Sequence, residues 1–340
     1  MLEKPQPGAC LNCHASTVTI YNDLGAGDPM AGFAALNALP YKDATKLAEH
    51  RVACIDCHDP ATMNLRITRP ALQEGLKALQ ASRGVADYDV NRDATTQELR
   101  ALVCAQRHVE YYFAGDGKTL TFPWNKDTDI NDVYQYYQDI GFTDFEHALT
   151  GAKMLKAQHP DFESWSAGVH ADNGVTCADC HMNYSRVGAT KVSNHDVATP
   201  LVDVNATCGT CHVASVKVIR DRVTTIQNRI VDSRDRALDA LTQLIAALHK
   251  AEADGTVDAK RIEAAKEYQR FAGFYTDYAY SENSYGFHAP DYFQRILSQA
   301  LDAARQGQLI LLGVAPAEVA ASDVAAANQA QAEASGLGLG

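Results

Sequence analysis

The sequence has 340 residues, of which 46% are hydrophobic and 21% are charged, enough for one large domain or two ordinary ones. Its formal net charge of −12 disfavours nucleic acid and anionic membranes as partners, so any site for an anion must be locally positive. No run of about 18 apolar residues occurs, and residues 1–14 contain no apolar signal segment.

Residues 1–215 are rich in loops and contain all nine cysteines, each of them within a Cys-x-x-x-His frame. Four frames are complete Cys-x-x-Cys-His motifs, formed by Cys10, Cys13 and His14, by Cys54, Cys57 and His58, by Cys177, Cys180 and His181, and by Cys208, Cys211 and His212. The fifth frame runs from Cys104 to His108 and has Arg107 where the second cysteine would stand. No cysteine is left over for another role.

This spacing is typical of covalent c-type haem attachment. Two thiols three residues apart reach the two vinyl groups of one porphyrin, and the adjacent histidine becomes an axial ligand of the iron. Zinc would not require a histidine after every second cysteine, and a disulfide framework would not confine its cysteines to such pairs. We therefore predict haem c at four complete sites and one single-cysteine site. Since the thiols receive haem outside the cytoplasm, we expect a periplasmic protein whose signal peptide is missing from this chain.

The chain after the last motif is predicted to be helical. Apolar residues from Ile219 to Leu248 recur every three or four positions, as in an amphipathic helix of about thirty residues. A second helix is predicted over residues 258–280, and a third from Pro290 to about Leu312. A further helical stretch is predicted around residues 134–155. No segment shows convincing strand alternation or a hairpin signal.

The predicted fold class is therefore mainly α, a multihaem cytochrome with a haem-packed core and long C-terminal helices. We divide the chain into a haem-binding catalytic region (1–215), long helices (216–312) and a flexible Ala/Gly-rich tail (313–340). The heptad-like stripe from Ile219 to Leu248 is compatible with a dimer seam, and equally with packing on the chain's own domain or second helix.

Two short segments carry polar side chains beyond the motifs. Glu110 and Gln158, with nearby backbone carbonyls, can supply the oxygen ligands that calcium prefers, although Glu110 and Lys156 are also compatible with ordinary surface charges. Tyr111 and His159 are neutral donors that can pass protons to an oxyanion at a metal, whereas a lone histidine is more often structural.

These segments occur in a recognisable order. The order is CAQRHVEYYF, FPW at residues 122–124, MLKAQHP, CADCHM, CGTCH and GFHAP at residues 286–290. From about residue 9 to residue 312 the sequence resembles the ammonia-forming, pentahaem cytochrome c nitrite reductases, as an N-terminally truncated member.

The resemblance implies that the first motif holds the active-site haem. Cys10 and Cys13 would attach it, and His14 would ligate its iron where most family members have lysine, with the opposite face open to nitrite. Tyr111 and His159 would be the catalytic hydrogen-bond and proton donors. A calcium ion beside this haem is implied as well. Its ligands would be the Glu110 carboxylate, the Gln158 amide oxygen, and the carbonyls of Tyr111 and Lys156.

The other haems are implied to carry two histidine ligands each. The implied pairs are His58 with His195, His108 with His288, and His212 with His170. The second ligand of His181 and the family's catalytic arginine are expected upstream of this chain. Arg107 removes one thioether of the third haem, which Cys104 would then hold alone.

The predicted function is the six-electron reduction of nitrite to ammonium, by an oxidoreductase that receives electrons from a quinol-linked or cytochrome donor. A homodimer through the C-terminal helices is implied, and no nucleic acid is expected. Two alternatives remain open. The first is a non-catalytic multihaem electron carrier, against which Tyr111 and His159 argue. The second is an inactive fragment of the reductase, which Arg107 and the absent upstream segment favour.

Overall fold

The computed structural model describes residues 6–314 and confirms a mainly α-helical fold. The α-helices of this part are α1 (Leu11–His14), α2 (Val18–Leu24), α3 (Pro29–Ala38), α4 (Tyr41–Ala44), α5 (Pro70–Ser82), α6 (Val90–Asp93), α7 (Thr96–Ala105), α8 (Ile130–Asp139), α9 (Asp161–Ser166), α10 (Val169–Asp172), α11 (Cys177–His181), α12 (Val216–Asp254), α13 (Ala259–Ser281) and α14 (Pro290–Leu311). Short 3₁₀ helices cover Gly8–Cys10, Thr45–Leu47, Cys54–Asp56, Pro200–Val202 and Cys208–Thr210.

Three antiparallel two-stranded hairpins also occur in the described residues. They are β1 (Tyr112–Ala114) with β2 (Thr119–Thr121), β3 (Phe145–Glu146) with β4 (Lys153–Met154), and β5 (Tyr184–Val187) with β6 (Thr190–Ser193). These hairpins were not predicted from the sequence, which shows no convincing hairpin signal. Each strand has only two to four residues, too few for the side-chain alternation on which sequence recognition of strands depends.

The three C-terminal helices form one packed layer. α13 and α14 confirm the predicted helices almost to the residue, and α12 extends over 39 residues. The Ser215 hydroxyl caps the start of α12 by accepting from the backbone N–H of Val218, and Gly255 ends it in the left-handed region at φ 61°. This left-handed end explains why the Asp-Gly pair stops the helix.

The apolar stripe of α12 is largely buried within the chain. Val223 and Ile230 are 6% and 2% exposed, and Leu244 and Leu248 are fully buried in a cluster with side chains of α13 and α14. Leu238, at 45% exposure, is the exception. Packing of α12 on α13 and α14 within the chain therefore explains most of the apolar residues of the stripe without a dimer.

The predicted helix around residues 134–155 is wrong beyond Asp139. α8 ends there, Gly141 takes φ 63°, and the chain turns back as β3 and β4. Gly151, also at φ 63°, lies just before β4. Both positions lie in the left-handed region, which glycine occupies without steric cost, so Gly141 marks the turn after α8 and Gly151 lies in the loop that joins the two strands.

The region that carries the first three motifs has a core of its own. Its buried centre joins Tyr21, Leu36, Leu72 and Trp124, which lie on or next to different elements. Among the described residues no helix combines the length and apolarity needed to cross a lipid bilayer. The domain boundaries stay predictions, and the predicted tail lies outside the described residues from residue 315 onward.

A buried ion pair fixes the first motif against the second. The Arg69 guanidinium lies 2.8 Å from the Asp56 carboxylate, and each side chain is 1% exposed. The same guanidinium donates to the backbone carbonyls of Asn12 and Ala15, each at 2.9 Å. Because Asn12 lies inside the first motif and Asp56 inside the second, Arg69 holds both motifs in one arrangement.

Candidate functional site

Each cysteine motif folds as a helical turn. The backbone N–H of His58 donates to the carbonyl of Cys54 at 2.8 Å, and that of His212 donates to Cys208 at 2.8 Å. None of the nine cysteines is joined to another in a disulfide. A turn of this kind places both thiols and the histidine next to one another, which is what a porphyrin attached through two thioethers requires.

Two of the motif histidines are held in the tautomer that a metal needs. The Nδ1 atom of His58 lies 2.8 Å from the carbonyl oxygen of Met63, and that of His181 lies 3.0 Å from the carbonyl of Ala198. A carbonyl oxygen only accepts hydrogen bonds, so Nδ1 carries the proton and Nε2 keeps its lone pair free for a metal. His195, which belongs to no motif, does the same with the carbonyl of Ser193 at 3.0 Å.

Histidines distant in sequence face one another in pairs. The ring centres of His58 and His195 lie 6.1 Å apart, and those of His170 and His212 lie 6.4 Å apart. Metal–imidazole bonds are about 2 Å long and a ring nitrogen lies about 1 Å from its ring centre, so an iron between two imidazoles separates their centres by about 6 Å. Both pairs, which the sequence resemblance implied, therefore fit the two axial ligands of a haem iron.

The third implied pair is wrong. His288 faces His181, with ring centres 6.4 Å apart, and not His108. His181 therefore has a facing histidine within the chain, and the expectation that its second ligand lies upstream is also wrong. The motifs that end in His108 and His181 both precede His288 in the sequence. The order of the motifs alone therefore does not show which of these two histidines faces His288. His108 loses the partner assigned to it.

The predicted catalytic residues gather near the first motif. Burial raises the pKa of Tyr111 most, and the neighbouring thiols of Cys13 and Cys10 raise it further. Partial burial lowers the pKa of His159; Asp161 opposes this shift, and His14 is among the positive groups that reinforce it. Tyr111 thus keeps its phenolic proton, and His159 is predominantly neutral near pH 7, as a proton donor and acceptor require.

The predicted calcium ligands also come together. Glu110 is fully buried, and its carboxylate accepts from the backbone N–H of Gln158 at 2.7 Å and from the Tyr137 hydroxyl at 2.9 Å. The Gln158 side-chain amide lies 3.3 Å from the carbonyl of Lys156, whose ammonium turns away to Asp277 at 2.9 Å. Direct hydrogen bonds therefore bring Glu110, Gln158 and the Lys156 carbonyl into one cluster.

Glu163 is a second buried carboxylate in this cluster, and sequence reasoning missed it. Its Oε1 accepts from the backbone N–H of Glu110 at 2.9 Å and from the Trp124 indole at 3.0 Å, while its Oε2 has no hydrogen-bond partner in the described residues. Burial raises the pKa of Glu163 to about 8 and that of Glu110 well above its ordinary value. Two buried carboxylates with an unpartnered oxygen fit a bound divalent cation.

Arg107 lies between the first two motifs. Its Nη2 is buried and has no hydrogen-bond partner in residues 6–314. Burial lowers the pKa of Arg107, and Arg69 lowers it further, while the thiols of Cys13 and Cys57 oppose the shift. The incomplete motif therefore places a cation near the cysteines of two other motifs.

Two further carboxylates contact haem-ligand candidates. The Asp161 carboxylate lies 2.8 Å from Nδ1 of His108, and the Glu282 carboxylate lies 2.5 Å from Nδ1 of His288. Asp161 follows His159 closely in a segment that the sequence had marked, but nothing in its spacing indicated its partner. Glu282 carried no sequence signal.

Helical Cys-x-x-Cys-His turns with facing histidines, on a mainly α-helical frame, define a multihaem c-type cytochrome. A family model for cytochrome c552 matches residues 2–337, and the chain belongs to the cytochrome c552 family. It is similar to cytochrome c-552 of Parabacteroides distasonis, with 38% identity over 90% of the chain, and to that of Bacteroides thetaiotaomicron, with 42% identity over 76%. It covers 59% and 50% of those relatives, and therefore spans little more than half their length.

The fold is also similar to a solved structure. The catalytic subunit of the cytochrome c nitrite reductase from Desulfovibrio desulfuricans ATCC 27774, described as having two calcium sites, superposes with a TM-score of 0.79 at 30% identity. The match covers 90% of this chain and 66% of that one. The resemblance inferred from the sequence is thereby confirmed at the level of family and fold.

Proposed function

We propose that this chain reduces nitrite to ammonium at the haem of its first motif. The observation that carries the proposal is the position of His14. Within residues 6–314 no second histidine faces it at the distance of the three pairs, whereas Tyr111 and His159 lie near its motif. The similarity to a nitrite reductase catalytic subunit supports the same activity.

The chain's own residues supply protons and position. The haem held by Cys10, Cys13 and His14 supplies the redox-active iron for a reaction that consumes six electrons and eight protons per nitrite and yields ammonium and two waters. Tyr111 donates a hydrogen bond to the bound oxyanion because burial keeps its hydroxyl protonated. His159 accepts protons from solvent and passes them on, because its lowered pKa leaves it neutral near pH 7.

We further propose calcium beside this haem, held by the Glu110 carboxylate, the Gln158 amide oxygen, and the carbonyls of Tyr111 and Lys156. The two buried carboxylates Glu110 and Glu163 support a cation at this place, because two burial-raised carboxyl groups ionise more readily beside a divalent charge. The ion would fix the segments that carry the two proton donors.

The remaining motifs are proposed to hold electron-transfer haems. The pairs are His58 with His195, His212 with His170, and His181 with His288. A fifth haem at Cys104 and His108 would be attached by one thioether, with its second axial ligand outside the described residues. We also propose that a quinol-linked or cytochrome donor supplies the electrons, that the protein is periplasmic and that it forms a homodimer.

The test is the reaction itself. The purified, haem-loaded chain is incubated with nitrite and a reduced viologen, and ammonium, electrons consumed and haem per chain are measured. We expect one ammonium per six electrons. Tyr111→Phe and His159→Gln should each lower the rate by about 10²-fold or more, the size of effect typical for a lost proton donor.

His249→Gln is the control, since this exposed histidine bonds only the Leu149 carbonyl among the described residues and should leave the rate unchanged. A chain that carries all its haems and forms no ammonium would contradict the proposal and leave the electron carrier and the inactive fragment as the alternatives. Equal losses in His159→Gln and His249→Gln would contradict the role of His159.

A further inference from the structure

The histidines that are candidate iron ligands differ in the group that contacts their Nδ1 atom. For His58, His181 and His195 the partner is a neutral backbone carbonyl, at 2.8 to 3.0 Å. For His108 the partner is the Asp161 carboxylate, hydrogen-bonded at 2.8 Å, and for His288 the Glu282 carboxylate approaches Nδ1 at 2.5 Å as a charge contact without hydrogen-bond geometry. The described chain thus contains two classes of iron-ligand candidates, which differ by a full negative charge next to the imidazole.

Both carboxylates are buried and fixed. Asp161 is 8% exposed; its Oδ1 accepts from the backbone N–H of Asn283 at 2.8 Å, and its Oδ2 accepts from the Asn283 amide at 2.7 Å. The Glu282 side chain is 0% exposed and accepts from the backbone N–H of Gly286 at 2.9 Å. A buried carboxylate interacts strongly with a neighbouring imidazole because little water screens the charge.

One loop carries both arrangements. Glu282 and Asn283 are adjacent residues at the end of α13, and His288 lies before α14. Glu282 contacts the histidine of its own loop, whereas Asn283 orients the carboxylate that contacts His108. The loop between α13 and α14 therefore links two haem sites through a pair of neighbouring side chains.

We propose that Asp161 and Glu282 are positioning residues that lower the reduction potentials of two haems, those ligated by His108 and by His288. The inference rests on the haem assignment of the proposed function. An imidazole whose Nδ1–H contacts a carboxylate is a more basic ligand than one bonded to a carbonyl, and it stabilises the ferric iron relative to the ferrous iron. Neither residue touches the substrate or the reacting atoms.

The test is a spectroelectrochemical titration of the haem-loaded chain without nitrite, so its result does not depend on catalysis. Asp161→Asn and Glu282→Gln keep the side-chain shape and remove the charge. We expect each variant to raise the reduction midpoint of one haem by at least 59 mV, which corresponds to a tenfold change in a one-electron reduction equilibrium. The two variants should shift different haems, each identified by its low-spin EPR signal.

Glu263→Gln is the control, because it removes the same charge from an exposed position on α13 and should shift no single haem. Unchanged midpoints in both variants at full haem content would overturn the proposal, as would a uniform shift of all haems in every variant.

A cation at the same carboxylates is the competing explanation, since ligand atoms of Asp161, Glu282 and His288 lie within 4.8 Å of one another. A chelator should leave the midpoints unchanged if the carboxylates act directly on the imidazoles. A chelator-induced shift as large as that of the variants would assign the cluster to a metal ion and overturn the proposal. Absence of nitrite reduction in the same preparation would count against the proposed function alone.

Discussion

Replacing Arg69 with methionine tests the coupling between the first two motifs. The change removes the ion pair with Asp56 and two hydrogen bonds to the carbonyls of Asn12 and Ala15, in a place where each charged side chain is 1% exposed. Methionine keeps much of the side-chain volume, so the loss is mainly electrostatic.

The expected cost is large. Breaking a buried ion pair by removing one partner costs about 3–5 kcal/mol, because the other charge stays buried and uncompensated. Each carbonyl that loses its donor adds up to about 1–3 kcal/mol, although such terms do not simply add. We therefore expect a loss of about 5 kcal/mol, comparable to the total stability of many domains.

The assay is denaturant unfolding of the haem-loaded chain, followed by circular dichroism and by the Soret band. Arg83→Met is the matched control, since Arg83 pairs with Asp127 at 3.0 Å with about half of each side chain exposed, and such a pair contributes less than about 1 kcal/mol. The double variant Arg69→Met with Asp56→Asn should be more stable than Arg69→Met alone, because it removes the orphaned charge. Equal midpoints for Arg69→Met and Arg83→Met would refute the reasoning.

Three further predictions concern the carboxylate cluster and one close contact. With a chelator present, the free energy of unfolding should fall as pH rises from about 4.5 to about 8. Burial raises the pKa of Glu163 to about 8, so over this range the folded state keeps a proton that the unfolded state loses. A rise in the free energy of unfolding over this range would contradict the prediction. Calcium at 100 times its dissociation constant should add about 2.7 kcal/mol of stability near pH 7, and Glu110→Gln should abolish most of this gain, as calorimetry can measure. Gly168→Ala should displace His288, because a Cβ at this position would meet the His288 carbonyl at 2.1 Å. Gly117→Ala is the control, since the nearest contact of its Cβ would be 3.8 Å away. An unchanged EPR spectrum of Gly168→Ala would refute the prediction.

The sequence was most informative where chemistry requires a fixed spacing. The five motifs predict haem attachment because two thiols and a histidine must reach one porphyrin, and helical periodicity predicts α13 and α14 almost to the residue. The hairpin formed by β3 and β4 escaped prediction because its strands have two residues each and its stability comes from packing, such as that of Met154 against Gly273.

The site was predictable in composition but not in pairing. Glu110, Tyr111, Gln158 and His159 lie in two segments that the family resemblance singles out, and the structure joins these segments through the hydrogen bond from the Gln158 backbone N–H to the Glu110 carboxylate. The pairing of His288 with His181 depends instead on how the loop after α13 packs against α11, a tertiary contact without local signal. The same holds for Glu163, whose role depends on burial beside Glu110.

The facing histidines also set an order of assembly. In the proposed haem assignment, His170 precedes its motif partner His212, so both ligands of that iron are present as soon as the motif has been exported. His58 must instead wait for His195, and His181 for His288, so these two sites keep one open axial position until the later chain has folded back. Such long-range closures are slow compared with local ones. If the proposed haem pairs hold, the second and fourth sites remain accessible to external ligands during maturation for longer than the last one, and they depend most on the later part of the chain.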